Sequence, residues 1–265
     1  MTRFLIIGVV VYLMSFGGLV LFQDRILYPF DPTEVTPETA GEPRLTVKRL
    51  RTSDDEHLVI WVAPPKASKP TIIYFHGNAG NLALRTQRFN RMLDRGYGVV
   101  AMAYRGSSGS SGKPSETAVR SDTLALIKAL PDLLGPQPQK LVYYGESLGS
   151  AVAVQLAAIH PPSGLVLEAP FESIDAMARQ RMPVFPTSLG LHEHWNTLGT
   201  IPKITSPLLV MHGTMDTVVP YDQGLAVFEA AASKRKVWRG VKGVGHVGHW
   251  DVAGQKAIYR FIDSL

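Results

Sequence analysis

One serine in the sequence lies between two glycines in a pattern that suits a covalent nucleophile. Residues 145–149 read Gly-Glu-Ser-Leu-Gly, with an apolar run typical of a strand before them and one typical of a helix after them. A sharp turn from strand to helix exposes the side chain at its centre and requires small residues two positions before and after it. The N-terminus of the helix that begins there also favours negative charge. The pattern predicts Ser147 as a nucleophile.

An acid and a histidine that could activate this serine follow it in the chain. A serine hydroxyl is a weak nucleophile at neutral pH and needs a general base that a carboxylate holds in place. Asp216 ends the turn after the apolar run 208–212, and Asp222 in the following helix is a second candidate for the acid. His246 follows a glycine-rich loop after the last predicted strand. We predict Asp216 as the orienting acid and His246 as the base.

Acyl-transfer chemistry also needs backbone N–H groups that stabilise the oxyanion. The residue after the nucleophile, Leu148, should supply one of them. The second should come from the loop after the third predicted strand, which reads His-Gly-Asn-Ala-Gly-Asn. Asn78 is the best-placed donor in this loop, and Ala79 is the next. We expect His76 and Asn81 to brace the loop through hydrogen bonds.

The remaining titratable residues near these motifs do not predict a metal or a cofactor. The sequence contains no cysteine, so thiolate metal sites and cysteine nucleophiles are excluded. His246 and His249 have a spacing that zinc sites use, but no third ligand is spaced with them, and His192 and His194 belong to another segment. Glu146 is expected to be a supporting or surface carboxylate, because His246 already supplies the acid–base function.

Strand and helix patterns alternate along most of the chain and predict the elements that position these residues. The predicted strands are 45–51, 58–63, 71–75, 99–103, 141–144, 165–168, 208–212 and 236–241. The predicted helices are 82–95, 116–134, 148–159, 221–232 and 252–262. Such alternation indicates one mostly parallel sheet with helices on both faces. Residues 171–205 interrupt the alternation and are predicted to form a lid over the site.

The N-terminal segment is predicted to anchor the protein in a membrane. Residues 4–22 contain no charged residue, His, Asn or Gln, and 19 residues of helix span about 28 Å, close to the hydrocarbon thickness of a bilayer. A buried core helix and a cleaved signal peptide are the alternatives, the second because Ser15 and Gly17 are small enough for a cleavage site. We divide the chain into an anchor at 1–22, a linker at 23–44 and one catalytic domain at 45–265.

The distribution of charge sets expectations for orientation and partners. Arg3 precedes the apolar segment, and Asp24 and Arg25 nearly cancel after it, which favours an extracytoplasmic catalytic domain. The net charge is only +5. Four arginines share one face of the predicted helix 82–95, namely Arg85, Arg88, Arg91 and Arg95. We interpret them as a solvated stripe, with contact to anionic headgroups as the alternative, and we expect no nucleic acid partner.

These motifs together resemble the membrane-anchored, bud-emergence-type branch of the α/β-hydrolase superfamily. The resemblance is carried by residues 74–81, 104–106, 112–116, 145–149, 212–216 and 219–220 and by the N-terminal anchor. It implies an α/β-hydrolase fold with a mostly parallel central sheet of about eight strands. The sequence departs from the branch at Ala103, Ser107, Ser108 and Asn196, which are expected to affect loop rigidity or pocket shape.

The resemblance implies a serine hydrolase that cleaves acyl esters or thioesters through an acyl-enzyme intermediate. The expected substrate is a small or lipid-like acyl compound, and the protein is expected to be a monomer without a cofactor. One alternative is a serine peptidase with the same three residues, which is disfavoured because about 50 residues between Phe22 and the oxyanion loop leave no room for a gating domain. The other alternative is a membrane-tethered scaffold without turnover.

Overall fold

Eight strands form one sheet in the computed structural model, which describes residues 2–66, 68–135, 140–250 and 252–265. The strands are β1 Thr46–Arg51, β2 His57–Ala63, β3 Thr71–Phe75, β4 Gly98–Met102, β5 Leu141–Glu146, β6 Gly164–Glu168, β7 Leu208–Gly213 and β8 Lys236–Val241. Their order in the sheet is β1-β2-β4-β3-β5-β6-β7-β8. β2 pairs in antiparallel fashion with both β1 and β4, and the remaining pairs, from β4 to β8, are parallel. This arrangement confirms the predicted mostly parallel sheet.

Helices cover both faces of the sheet in the described part of the chain. They are α1 Thr2–Leu27, α2 Thr86–Asp94, α3 Glu116–Leu134, α4 Leu148–Ala157, α5 Ile174–Arg181, α6 Thr197–Thr200, α7 Tyr221–Ala230 and α8 Val252–Asp263. Short 3-10 turns lie at Leu82–Arg85, Thr187–Leu189 and Ile201–Lys203. The predicted strands and helices agree with these bounds to within a few residues, except that the predicted helix 82–95 begins as a 3-10 turn.

The central strands read as continuous apolar runs because both of their faces are buried. In β3, Ile73 and Phe75 join a core with α3, α4 and α7, whereas Ile72 and Tyr74 join a second core with α2 and α8. Alternate side chains of a strand point to opposite faces, so a sheet covered on both sides needs apolar residues at every position. The carboxyl ends of the parallel strands therefore meet at one edge of a rigid layer.

Helix α1 extends beyond the predicted anchor. It runs from Thr2 to Leu27, five residues past the expected end at Phe22. The first five residues of the predicted linker 23–44 are therefore helical, and the non-helical part begins at Tyr28. Among the described residues, α1 is the one helix that is both long enough and apolar enough to cross a membrane. Its first half is exposed, but the side chain of Gln23 near its C-terminal end is buried. The helix therefore contacts the domain from Tyr12 to its C-terminal end.

The segment 171–205, which was predicted to form a lid and is called the lid below, is linked to the body of the protein through residues 193–195. Glu193 in the lid accepts hydrogen bonds from the hydroxyl of Tyr28 and, at 2.6 Å, from the backbone N–H of Glu116. In return the Glu116 carboxylate accepts N–H groups of His194 and Trp195 at 2.9 and 2.8 Å. These side chains link the lid, the start of α3 and the residue that follows α1.

The predicted solvated stripe of arginines is wrong for two of its four members. Arg85 is buried and Arg88 is largely buried, with 16% of its side chain exposed, and they form ion pairs with Glu146 and Glu168, respectively. Arg91 and Arg95 are exposed, and Arg95 pairs with Asp263 at 2.6 Å. The first two arginines lie where α2 meets the carboxyl ends of β5 and β6, whose last residues are acidic. Buried cations require such partners.

Candidate active site

Ser147 occupies a strained turn between β5 and α4. Its backbone has φ 52° and ψ −114°, in the left-handed region that residues with a side chain rarely adopt. The two flanking residues must be glycines because neighbouring backbone atoms leave no room for a Cβ atom at either position. A Cβ atom on Gly149 would lie 2.0 Å from the carbonyl oxygen of Phe75, and one on Gly145 would lie 2.3 Å from the Gly149 carbonyl oxygen. The local sequence therefore holds the serine side chain at the carboxyl edge of the sheet.

The structure brings the three predicted reactive residues into one chain of hydrogen bonds. Ser147 Oγ lies 3.0 Å from Nε2 of His246, and Nδ1 of the same ring lies 2.8 Å from Oδ2 of Asp216. A carboxylate only accepts, so Nδ1 carries the proton and Nε2 is free to accept the serine proton. This is the geometry that a serine nucleophile and its base require.

The second candidate for the acid lies elsewhere. Asp222 is exposed in the first turn of α7, and its carboxylate accepts the N–H of Gln223 at 3.1 Å.

Several donors hold the Asp216 carboxylate in its ionised form. The backbone N–H groups of Val218 and Val219 each donate to Oδ1 at 2.8 Å. Burial raises the pKa of the Asp216 carboxyl, but hydrogen bonding from His212, His246 and the Val219 backbone outweighs burial and keeps the pKa well below its usual value. Asp216 therefore carries a negative charge beside the imidazole at neutral pH.

His212, for which no role was predicted, supports this acid. Its ring is fully buried, and Nε2 lies 2.9 Å from the carbonyl oxygen of Val219 and 3.4 Å from Oδ2 of Asp216. The carbonyl oxygen accepts, so Nε2 carries the proton and points toward both oxygens. The signal was present, since His212 begins the same five-residue turn that Asp216 ends.

The two predicted oxyanion donors lie around the same cavity as the serine. Leu148 is the first residue of α4, where backbone N–H groups have no partner within the helix. Asn78 lines the cavity with Ser147 and Leu148. Its side-chain Nδ2 donates to the carbonyl oxygen of Leu27 at 3.2 Å, so the side chain is engaged with α1 and its backbone N–H is the group available to a substrate.

His76 and Asn81 brace this loop as predicted. The His76 ring contacts the carbonyl oxygen of Gly77 at 2.7 Å. Burial, with the positive charge of Arg85, lowers the pKa of His76 to about 3, so its ring is neutral at physiological pH. Asn81 accepts the N–H of Ala83 at 3.1 Å and donates to Asp31 at 2.6 Å.

The cavity beside Ser147 is apolar and extends under the lid. Its volume is about 220 Å³. The lid contributes Phe171, Ile174 and Met177, and α1 contributes Leu19 and Val20. A cavity of this kind accommodates a hydrocarbon group next to a polar reacting centre.

His246 and His249 have a spacing that zinc sites use, but they do not form a metal site with other residues in the part of the chain that the structure describes. No group of three His, Asp or Glu side chains there is close enough to hold an ion. His249 is buried, and its pKa is lowered by burial.

Comparison with known proteins agrees with the fold. A family defined by the alpha/beta hydrolase fold matches residues 70–191. The chain is 31% identical over 243 residues to protein bem46 of Schizosaccharomyces pombe, covering 85% of this chain and 80% of the yeast protein. It is 32% identical over 192 residues to the lysophosphatidylserine lipase ABHD12 of Danio rerio, covering 65% of this chain and 50% of that protein.

A solved structure of low sequence identity shares the architecture. The esterase Pf2001 of Pyrococcus furiosus superposes with a TM-score of 0.71 at 21% identity, covering 89% of this chain and 98% of the esterase. The chain belongs to the α/β-hydrolase superfamily, in the branch that includes bem46.

Proposed function

We propose that the protein is a serine hydrolase that cleaves acyl esters or thioesters. The observation that supports this proposal is the hydrogen-bonded chain from Ser147 through His246 to Asp216 at the mouth of an apolar cavity. Ser147 attacks the acyl carbonyl carbon while Nε2 of His246 takes the hydroxyl proton. Asp216 stabilises the imidazolium that forms.

The backbone N–H groups of Leu148 and Asn78 hold the oxyanion of the tetrahedral intermediate. Its collapse breaks the bond to the leaving alcohol or thiol, which takes the proton from His246 and departs. Water then attacks the acyl-enzyme with the same histidine as base, and its proton returns to Ser147 as the acid is released.

The proposal is tested by replacing the nucleophile. Ser147→Ala should lower hydrolysis of p-nitrophenyl acetate by about 10⁴-fold and abolish labelling by a fluorophosphonate, because both reactions require the serine oxygen. Ser163→Ala is the matched control, since Ser163 is exposed at the opposite edge of the sheet before β6. Ester hydrolysis by Ser147→Ala at the wild-type rate would reject the assignment.

The same experiment separates the two alternative functions. A tethered scaffold would give neither ester turnover nor labelling in the wild-type protein. A peptidase would be labelled and would also cleave peptide amides, which the proposed ester or thioester hydrolase would leave intact. A panel of esters and thioesters with the same acyl chains then distinguishes the two proposed leaving groups.

A further inference from the structure

The cavity at Ser147 is walled on one side by the apolar N-terminal helix. Side chains of α1 that share one helical face line the cavity, at the spacing of three, four and seven positions that one face requires. They are Phe16, Leu19, Val20, Gln23, Ile26 and Leu27. The lining of the cavity therefore continues directly into the surface of a helix long enough to cross a bilayer.

The part of the lid nearest to α1, residues 182–191, is called the lid tip. Phe185 of the lid tip stacks on two rings of α1, with centroid distances of 5.1 Å to Tyr12 and 5.9 Å to Phe16. The Tyr12 hydroxyl donates to the carbonyl oxygen of Val184 at 2.8 Å. The lid tip thus follows α1 as far back as Tyr12.

Apart from the hydrogen bond of the Tyr12 hydroxyl, the side-chain polar contacts between α1 and the lid in the described residues lie at the other end of this interface. Gln23 donates to the carbonyl oxygen of Gly190 and accepts the N–H of His192, at 2.9 and 3.1 Å. Asp24 lies 2.8 Å from Nε2 of His192. The interface therefore changes from aromatic to charged toward the C-terminal end of α1, as a segment does that passes from hydrocarbon to headgroups.

The lid tip has the composition of a segment that lies in lipid. Its sequence, Met-Pro-Val-Phe-Pro-Thr-Ser-Leu-Gly-Leu, contains no charged residue. Val184 and Leu189 within it are 70% and 81% exposed. Arg179 and Arg181 precede the lid tip and are exposed, and Arg181 donates through Nη2 to the carbonyl oxygens of Thr217 and Val218 at 3.3 and 2.6 Å.

The depth of the lid tip follows from the position of Tyr12 in the apolar segment 4–22. Tyr12, the first contact with the lid tip, lies near the middle of this segment, which Arg3 precedes and Gln23 follows. The 19 residues of the segment span about 28 Å of helix, close to the roughly 30 Å of hydrocarbon in a bilayer. If α1 crosses the membrane, the contacts from Tyr12 to Phe16 must lie inside the leaflet next to the catalytic domain. The cavity between α1 and the lid then faces the acyl chains of that leaflet.

We propose that the substrate is a bilayer-resident lipid with a long acyl chain, which reaches Ser147 from within the leaflet along the cavity between α1 and the lid. This inference rests on the proposed hydrolase function and adds the substrate class and the route. The chain exchanges lipid contacts for those of the apolar cavity, so it need not pass through water. The anchor helix is in this scheme part of the binding site.

The test uses the full-length protein reconstituted in phosphatidylcholine vesicles that contain p-nitrophenyl palmitate, with p-nitrophenyl acetate added from water as the short-chain reference. Leu19→Trp places an indole in the cavity, and Leu21→Trp is the matched control because Leu21 is 79% exposed on the opposite face of α1. Leu19→Trp should lower the ratio of palmitate hydrolysis to acetate hydrolysis by about tenfold, since a filled cavity excludes the long chain more than the short one. Leu21→Trp should change neither rate.

A second pair of variants tests the lid tip. Val184→Asp combined with Leu189→Asp should lower palmitate hydrolysis in vesicles by about tenfold, because charged side chains resist insertion, with acetate hydrolysis unchanged. Ile159→Asp, at a position 56% exposed at the end of α4, should have no effect. Acetate turnover shows that each variant is folded.

Two different failures can be distinguished in these measurements. If the wild-type protein hydrolyses neither ester, the proposed hydrolase function is wrong. A wild-type protein that hydrolyses both, with Leu19→Trp and the lid-tip variant retaining wild-type palmitate rates, overturns the route through the leaflet and leaves the hydrolase proposal standing.

Discussion

A single ion pair, Arg85–Glu146, joins the loop that carries Asn78 to the turn that carries Ser147. Arg85 donates through Nη1 to the carbonyl oxygens of Ala79 and Asn81, at 2.7 and 3.2 Å, and pairs through Nη2 with the carboxylate of Glu146 at 3.2 Å. Glu146 is the residue before the serine. The distance between the proposed oxyanion donors is therefore fixed by a side chain from outside both segments.

Glu146→Gln should destabilise the protein by about 2 kcal/mol at neutral pH, because it leaves the buried Arg85 guanidinium without its counter-charge. Burial by itself raises the pKa of the Glu146 carboxyl, but the charges of Arg88 and Arg85, with hydrogen bonds from Tyr74 and Arg85, lower it to about 2. The pKa in the folded state is thus below its ordinary value of 4.5.

The stability that Glu146 contributes is therefore fully present above about pH 4.5 and is lost as the pH falls toward 2. Denaturant unfolding of wild type and Glu146→Gln at a series of pH values measures this difference, which should shrink through that interval. Asp55→Asn is the control, because the Arg51–Asp55 pair is 70% and 67% exposed and should contribute less than about 0.5 kcal/mol. A difference between wild type and Glu146→Gln that does not change with pH would contradict the assignment.

At the scale of elements, the contact between α4 and β3 is set by the absence of a side chain at residue 149. Gly149→Ala would bring a methyl group to 2.0 Å from the carbonyl oxygen of Phe75, which is backbone in the middle of the sheet. Since the strand cannot yield, α4 must shift and displace Ser147. We expect a loss of ester hydrolysis of about 10²-fold or more and a stability loss of about 1–3 kcal/mol.

Gly17→Ala in α1 is the control for this substitution, because a Cβ atom there meets nothing within 4 Å. It should leave both the hydrolysis rate of p-nitrophenyl acetate and the thermal unfolding midpoint near wild type. Wild-type rates for Gly149→Ala would show that the turn tolerates movement and that the close approach is not what positions the serine.

The elements differ in how far their sequences predict them. Buried strands such as β3 were predictable because apolar runs between loops have few alternatives. The turn at Ser147 was predictable because it requires small residues two positions before and after the serine, and the sequence has glycine at both positions. The ion pairs of Arg85 and Arg88 were not predictable, since helical periodicity shows which residues share a face but not that Glu146 and Glu168 lie opposite that face.

The contact between α1 and the lid could not be predicted for a different reason. Tyr12 and Val184 are 172 positions apart in the chain, and neither segment has a pattern that identifies the other as its partner. An apolar helix of this length predicts a membrane anchor by itself, and nothing in its composition indicates that one face lines a cavity. Only the folded arrangement relates the anchor to the site.

At the scale of the whole molecule, the orientation in the membrane decides which compartment supplies the substrate. Arg3 lies before the apolar segment, while Asp24 and Arg25 nearly cancel after it, so we expect the catalytic domain on the extracytoplasmic side. Because the sequence contains no cysteine, one introduced cysteine is the only thiol. Ser53→Cys, at an exposed position of the domain, should react with a membrane-impermeant maleimide in intact cells. Thr2→Cys should react only after permeabilisation, and the opposite result would place the domain in the cytoplasm and its substrate in the inner leaflet.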